Sequence, residues 1–309
     1  MEELRIVFMG TPEFAVATLD KLVKAGCSIV GVVTAPDKAA GRGMQLQQSA
    51  VKQFANDHGL FVLQPEKLKN PDFLEQLKNL QADLQIVVAF RMLPEVVWNM
   101  PPMGTVNLHG SLLPQYRGAA PINWAIINGE KFTGVTTFKL QQEIDTGDIL
   151  LTTSMPFGDQ ETAGELHDKM KEIGAELLLQ TVKGLAEGGL TESPQIESAE
   201  LKDLKIAPKI FTATCQIDWN KSITEIFNLI RGLSPYPTAF TFLEGKKVKI
   251  YKSEKIDSTP SIAVGEWVTD KKTFLNFAAI DGSIAILELQ LEGKKKMSIG
   301  DFLRGYRWA

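Results

Sequence analysis

The sequence predicts an α/β protein in two parts: a Rossmann-like, mostly parallel sheet with helices on both faces, then a small OB-like β-barrel. Three observations carry that expectation. Short apolar runs alternate with stretches of helical spacing as far as Glu187, the pattern of a parallel sheet wrapped by helices. Runs such as Ile86-Val87-Val88-Ala89 are apolar throughout, as strands buried on both faces require. After Gly188-Gly189 the pattern changes to short strand-like runs separated by Gly and Lys turns.

The elements follow in order. Leu4–Met9 is an apolar run that ends at Gly10. Apolar residues then recur at helical spacing from Phe14 to Val23, until Gly26 stops them. Ser28–Val33, Leu84–Phe90 and Thr105–Leu108 are further strand candidates, with helical stretches near Ser49–Asp57 and Pro71–Leu80. Val135–Leu140 and Ile149–Met155 read as strands, and Glu161–Glu187 as a long helix. Residues 190–208 carry Ser, Thr, Pro and alternating charge with little periodicity. The expected division is therefore a first domain over 1–189, a linker over 190–208 and a second domain over 209–309. In the second domain a helix at Ile223–Gly232 precedes strand runs Ala239–Leu243, Val248–Lys252, Ile262–Val268, Thr273–Ala278 and Ser283–Leu291.

Composition narrows the class. The chain has 309 residues, 44% hydrophobic and 23% charged, which is ordinary for a globular protein and excludes disordered, collagenous and disulfide-scaffold chains. No apolar run approaches a membrane span, and Met1-Glu2-Glu3 lacks the basic start of a signal peptide. Cys27 and Cys215 lie far apart and are expected to be reduced thiols of a cytoplasmic protein. No heptad or apolar stripe calls for an oligomer, so a monomer is expected. Net charge is −4, but it is divided unevenly. Residues 1–204 carry −9 and residues 205–309 carry +5. The basic residues cluster at Lys246-Lys247-Val248-Lys249, Lys252, Lys255, Lys271-Lys272 and Lys294-Lys295-Lys296. A lysine-rich small barrel suggests a nucleic-acid partner.

Several chemistries are excluded by motif. The first strand ends in Gly10-Thr11-Pro12-Glu13-Phe14, not in the glycine fingerprint that lets a backbone approach a pyrophosphate. No P-loop and no Gly-x-Ser-x-Gly elbow occurs. His58, His109 and His167 are the only histidines and have no metal-type spacing, so no metal is expected.

One segment carries chemistry: Val106-Asn107-Leu108-His109-Gly110-Ser111-Leu112-Leu113-Pro114, followed by Tyr116–Pro121. Asn107 and His109 are two apart at a predicted strand end, so an amide and an imidazole project from one face. Open α/β sheets place their sites outside the carboxyl ends of the strands. Asp145 lies in an acidic turn, Gln141–Asp148, between two strand candidates, within reach of orienting His109. Together these three side chains suit acyl transfer to an amine. An amide and an imidazolium stabilise an oxyanion, and a carboxylate helps carry away the proton of the attacking amine.

This order of residues resembles the folate-dependent formyltransferases, most closely the branch that acts on methionyl-tRNA. The likeness includes Arg5–Phe14, Pro36-Asp37-Lys38 with Gly41-Arg42-Gly43, Val106–Pro114, Tyr116–Pro121 and Asp145–Asp148. Beyond residue 208 it includes Ile217-Asp218-Trp219, Pro235-Tyr236-Pro237 and Gly293–Ser298. The resemblance implies transfer of the formyl group of 10-formyltetrahydrofolate to the amino group of initiator methionyl-tRNA, leaving tetrahydrofolate. The alternative acceptor is a small amine such as an amino-sugar nucleotide. It implies Asn107, His109 and Asp145 as catalytic residues. Ser111, Leu112, Leu113 and Pro114 match the folate-contacting segment, and Lys38 and Arg42 fall in a loop that meets the tRNA. Ala89-Phe90-Arg91-Met92 departs from the family pattern. It lacks a phenol and puts a cation near the expected pterin slot, so no role is carried over to Phe90.

Overall fold

A computed structural model describes residues 4–40, 45–195 and 204–308. In chain order the elements are β1 (Arg5–Gly10), α1 (Glu13–Lys24), β2 (Ser28–Val33), β3 (Lys38–Ala40), β4 (Gln45–Gln47), α2 (Ala50–Asp57), β5 (Val62–Leu63), α3 (Pro71–Asn79), β6 (Leu84–Val88), α4 (Glu95–Trp98), β7 (Thr105–His109), β8 (Arg117–Gly118), α5 (Pro121–Ile127), β9 (Phe132–Lys139), β10 (Ile149–Pro156) and α6 (Ala163–Ala186). They continue with β11 (Ile206–Ala207), α7 (Ile223–Leu233), β12 (Ala239–Leu243), β13 (Lys246–Ile256), β14 (Trp267–Thr269), β15 (Leu275–Ala278), β16 (Ser283–Leu291), β17 (Met297–Ser298) and α8 (Ile299–Gly305). The chain folds into two compact units. One comprises Met1–Arg117, Gly134–Met155 and His167–Lys205, and the other Gly118–Thr133, Pro156–Leu166 and Ile206–Ala309.

The first unit is built on a seven-stranded sheet in the order β10-β9-β7-β6-β1-β2-β5. β5, β2, β1, β6 and β7 run parallel, and β9 joins β7 antiparallel. Ile6, Val7, Phe8 and Met9 are fully buried, as a central strand covered on both faces demands. Val7, Met9 and Val87 form one core face with Phe73 and Leu77 of α3 and Val97 of α4. The opposite face takes α6: a Cβ on Gly174 would stand 2.8 Å from Leu108, and Thr181 bonds Thr137 at 2.8 Å. Local sequence starts the helices. The Ser49 side chain caps α2, and Asn70 caps α3 with Pro71 in its first turn. Gly10 has a steric reason: a Cβ there would lie 2.6 Å from Ala15 of α1.

From β1 the strand order runs in opposite directions within the sheet, toward β2 and β5 on one side and β6 and β7 on the other. Such a reversal opens a crevice at the carboxyl ends of the strands. Gly10 pairs with Val88, and Val88 with Leu108, so the ends of β1, β6 and β7 are level.

The second unit contains an antiparallel sheet in the order β12-β13-β16-β15-β14, with β17 also on β16. The OB-like barrel is thus realised as a half-barrel. β13 is longer than Val248–Lys252, and β14 begins only at Trp267. The bulged register of β13 against β16 around Ile250–Ser253 breaks the simple alternation that periodicity relies on. α7 carries a Ser222–Glu225 capping box and buries Ile226, Phe227 and Ile230 in the core. Trp219 stacks on Phe277 at 4.7 Å while its indole N–H donates to Thr241.

Cys27 and Cys215 are both free and buried. Among the described residues no helix is long and apolar enough to cross a membrane.

Two stability predictions follow from the first unit. Phe138 of β9 is fully buried and meets the His109 ring edge-on at 6.4 Å. Phe138→Ala should destabilise the protein by about 3–5 kcal/mol in urea unfolding; a loss under about 1 kcal/mol would mean that the core collapses freely into the gap. Asp37 accepts hydrogen bonds from Lys52 at 2.6 Å and Gln64 at 2.8 Å, and these hold its carboxyl below the usual carboxylate range, the lysine contributing most. A lowered native value adds stability that is complete above about pH 4 and is lost as pH falls through it. Asp37→Asn should therefore lower the urea midpoint at neutral pH, and the gap to wild type should close in acid. A gap independent of pH would remove the ionised pair as its cause.

Candidate active site

β7 ends at His109, and its side chains alternate. Val106 and Leu108 point to the α6 side, and Asn107 and His109 to the other. Asn107 sits level with Val87 and Phe138 in the ladder, and Val87 with Met9. An apolar row across the sheet thus turns polar at Asn107. Asn107 is half-buried, and among the described residues its amide has no hydrogen-bond partner.

His109 is buried. Its Nε2 lies 2.9 Å from the Tyr116 carbonyl oxygen, and its Nδ1 lies 3.8 Å from Oδ2 of Asp145. A carbonyl only accepts, so Nε2 carries the proton in that bond. Nδ1 then faces a carboxylate without a closed hydrogen bond. A proton on Nδ1 would point into that space. The sequence expectation that Asp145 reaches His109 is met in this geometry.

The two partners of the imidazole sit on unusual backbone. Tyr116 has φ +60° and Asp145 has φ +55°, both in the left-handed region. The loop before Tyr116 is braced from within. Ser111 Oγ donates to the Gln115 carbonyl at 2.6 Å, and the Thr136 hydroxyl donates to the Ser111 carbonyl while accepting from Leu113 N–H. Leu113–Pro114 is a cis peptide bond. In the acidic turn the Lys139 N–H donates to Asp148 O, and a Cβ on Gly147 would stand 1.6 Å from the Lys139 carbonyl oxygen. Only glycine fits there.

The remaining sequence candidates are placed as follows. Ser111 and Leu113 are buried, and Leu112 and Pro114 are half-buried. The Ser111 hydroxyl is already engaged. Lys38 is exposed on β3, which pairs with β4. Arg42 lies outside the described residues. Arg91 is held by backbone acceptors. Its guanidinium donates to the carbonyls of Glu66, at 2.8 Å, and Pro65, and lies 5.5 Å from the Phe90 ring centroid. Burial lowers its pKa from the usual arginine value. Among the described residues, no group of three or more His, Cys, Asp and Glu is placed to share a metal ion.

Sequence reasoning missed three contributors. The Tyr116 carbonyl is one, because a backbone acceptor carries no residue signature. The others are Arg117 and Gln195, which bond each other, with Gln195 also bonding the Asp145 turn. Gln195 falls in the stretch that reads as linker, where nothing local marks it. Ser193 nearby exchanges both backbone hydrogen bonds with Ile149.

Comparison with known proteins fits this arrangement. A family model described as formyl transferase matches residues 4–182, and one described as formyl transferase, C-terminal domain, matches residues 209–307. Methionyl-tRNA formyltransferase of Bacteroides fragilis is 53% identical, covering 99% of this chain and 96% of the relative. That of Flavobacterium johnsoniae is 50% identical, covering 99% and 97%. Among solved structures, an N-formyltransferase from Helicobacter canadensis in complex with folinic acid and dTDP-3-aminofucose matches with a TM-score of 0.70 at 20% identity, covering 95% of this chain and all of that one. HypX from Aquifex aeolicus, solved with tetrahydrofolic acid, matches with a TM-score of 0.66 at 19% identity. It covers 98% of this chain, which spans about half (48%) of HypX. The two structures share the fold. The family models cover both ends of the chain and the relatives match along its length, so the chain belongs to the formyl transferase family.

Proposed function

We infer that this protein transfers the formyl group of 10-formyltetrahydrofolate to the α-amino group of methionine carried by initiator tRNA, and that it acts as a cytoplasmic monomer. One observation carries the chemistry. An imidazole held between a carbonyl and a carboxylate lies two residues from an amide with no partner among the described residues, at the carboxyl end of a sheet strand. The acceptor follows from the relatives, which are named for methionyl-tRNA and match at half identity along the chain. Amino-sugar enzymes share the fold at far lower identity.

The residues divide the work as follows. The Asn107 amide donates to the formyl oxygen, and His109, once its Nδ1 is protonated beside Asp145, donates to the same oxygen as charge develops. The methionyl nitrogen attacks the formyl carbon, and the carbonyl electron pair moves onto oxygen. The amine proton passes to the His109–Asp145 pair. Collapse of the tetrahedral centre breaks the bond to N10 of the folate, which takes up the proton and leaves as tetrahydrofolate. Losing one oxyanion donor typically costs about 10²–10³ in rate. The folate lies along Ser111–Pro114, where half-buried Leu112 and Pro114 and the backbone make the contact. Lys38 and Arg42 meet the acceptor end of the tRNA. Residues 1–189 form the catalytic domain, 190–208 the linker and 209–309 the tRNA-binding domain. In that last domain Lys249, Lys294 and Lys295 form no ion pair among the described residues, which suits phosphate contacts.

The direct test measures formyl transfer from 10-formyltetrahydrofolate to charged initiator, charged elongator and uncharged tRNA in parallel. Formylation of the charged initiator alone is expected. Folate consumption without formyl-methionyl-tRNA would move the acceptor to a small amine or water. Asn107→Ala and His109→Ala should each reduce transfer by at least about 10²-fold with folding intact, and near-normal turnover in either would remove that residue from the site. The affinity for tRNA should fall steeply as salt rises, because each phosphate contact releases counterions. A flat dependence would reduce the lysines to ordinary surface.

A further inference from the structure

Gln195 is 7% exposed, and every polar group of its side chain is used. Its Nε2 donates to two backbone carbonyls of the acidic turn, Asp145 O at 2.9 Å and Gly147 O at 2.7 Å. Its Oε1 accepts from Nε and Nη2 of Arg117, at 3.0 and 2.6 Å. Arg117 directly follows Tyr116, whose carbonyl holds His109 Nε2, and Asp145 faces His109 Nδ1. One amide therefore links the backbone of the acidic turn on one side of the catalytic imidazole to the Arg117 side chain on the other. We propose that Gln195, through Arg117, is a positioning residue for formyl transfer, setting the separation between the Tyr116 carbonyl and the Asp145 carboxylate.

The proposal rests on the reading that His109 and Asp145 act together in formyl transfer. Its physical basis is a turn that needs holding. Asp145 adopts a left-handed conformation, which costs a non-glycine residue free energy and persists where the surroundings impose it. Gln195 grips that residue and Gly147 two positions on, at and just after the strained point. The gap from His109 Nδ1 to the carboxylate is already 3.8 Å, so a small outward drift of the turn ends the interaction. Misplacement by about 1 Å can cost about 10²-fold in rate. The residue type is specific as well. Donation to two carbonyls and acceptance from a guanidinium require an amide. A carboxylate keeps the second function and loses the first, and a leucine loses both.

The test compares Gln195→Leu and Gln195→Glu with wild type, alone and combined with Asp145→Ala, using single-turnover formyl transfer to methionyl-tRNA, steady-state kinetics and thermal melting. Each single Gln195 variant is expected to melt cooperatively and to transfer about 10²-fold more slowly. The loss should persist in single-turnover transfer at saturating 10-formyltetrahydrofolate, where folate binding no longer limits the rate. In the Asp145→Ala background the Gln195 changes should cost less than about threefold, since their effect runs through Asp145. Near-wild-type kcat in Gln195→Glu would overturn the donor role and with it the proposal. So would effects that multiply with Asp145→Ala, or loss of cooperative melting in both Gln195 variants. A wild-type protein that formylates nothing would overturn the underlying function as well, an outcome separate from wild-type activity that tolerates the substitutions.

Discussion

An imidazole with both ring nitrogens aimed at acceptors is the constraint on which the candidate site depends. The Tyr116 carbonyl fixes the proton on Nε2, and the Asp145 carboxylate waits at 3.8 Å from Nδ1. Neither partner adjoins His109 in the chain. Each must be brought to a buried ring by backbone that departs from ordinary conformations, at φ +60° for Tyr116 and +55° for Asp145. Backbone of that kind is sustained only where neighbours over-determine it. The neighbours here are Ser111, Gln115 and Thr136 on one side and Lys139, Gly147 and Gln195 on the other.

The sheet supplies what loops cannot. Met9, Val87, Asn107 and Phe138 lie level across four adjacent strands. Three apolar members anchor the row, and the fourth presents an amide. The ladder fixes the backbone position from which the Asn107 amide projects. That is the economy of building a site on strand ends: loop chemistry is held against a surface that does not move. Phe138 also packs edge-on against His109, so the core and the site share an aromatic contact.

The lysine-rich second unit uses its charges in two ways. Lys247 lies 3.6 Å from the Phe240 ring centroid, and Lys246, Lys271 and Lys296 stand over Tyr306, Trp308 and Tyr251. Lys296 is also paired with Glu288 at 2.6 Å. These cations cover aromatic surface with their stems and engage it with their charge. Composition alone treats all the lysines as equivalent. The structure separates those laid on rings from Lys249, Lys294 and Lys295, which form no ion pair among the described residues.

Legibility followed the range of each interaction. The parallel strands were readable because a strand buried on both faces is apolar through its middle, as Ile6–Met9 and Ile86–Val88 are. Asn107 and His109 were readable because polar residues two apart at such a strand end break that rule conspicuously. The ends of β13 and β14 were less so, because a bulge shifts the alternation from one face to the other. The partners of Arg91 were not readable, since they are a pair of carbonyls at Pro65 and Glu66, which any sequence could supply. Gln195 was invisible for the same reason in stronger form. Its partners lie 78 residues away at Arg117 and 50 residues away at Asp145, and two of its four bonds go to main-chain oxygen. A glutamine between Pro194 and Ile196 has no periodicity to violate. Side chains that act on backbone therefore leave the weakest trace in sequence. In this site they hold the two segments that orient the imidazole, so motif residues alone do not reconstruct it.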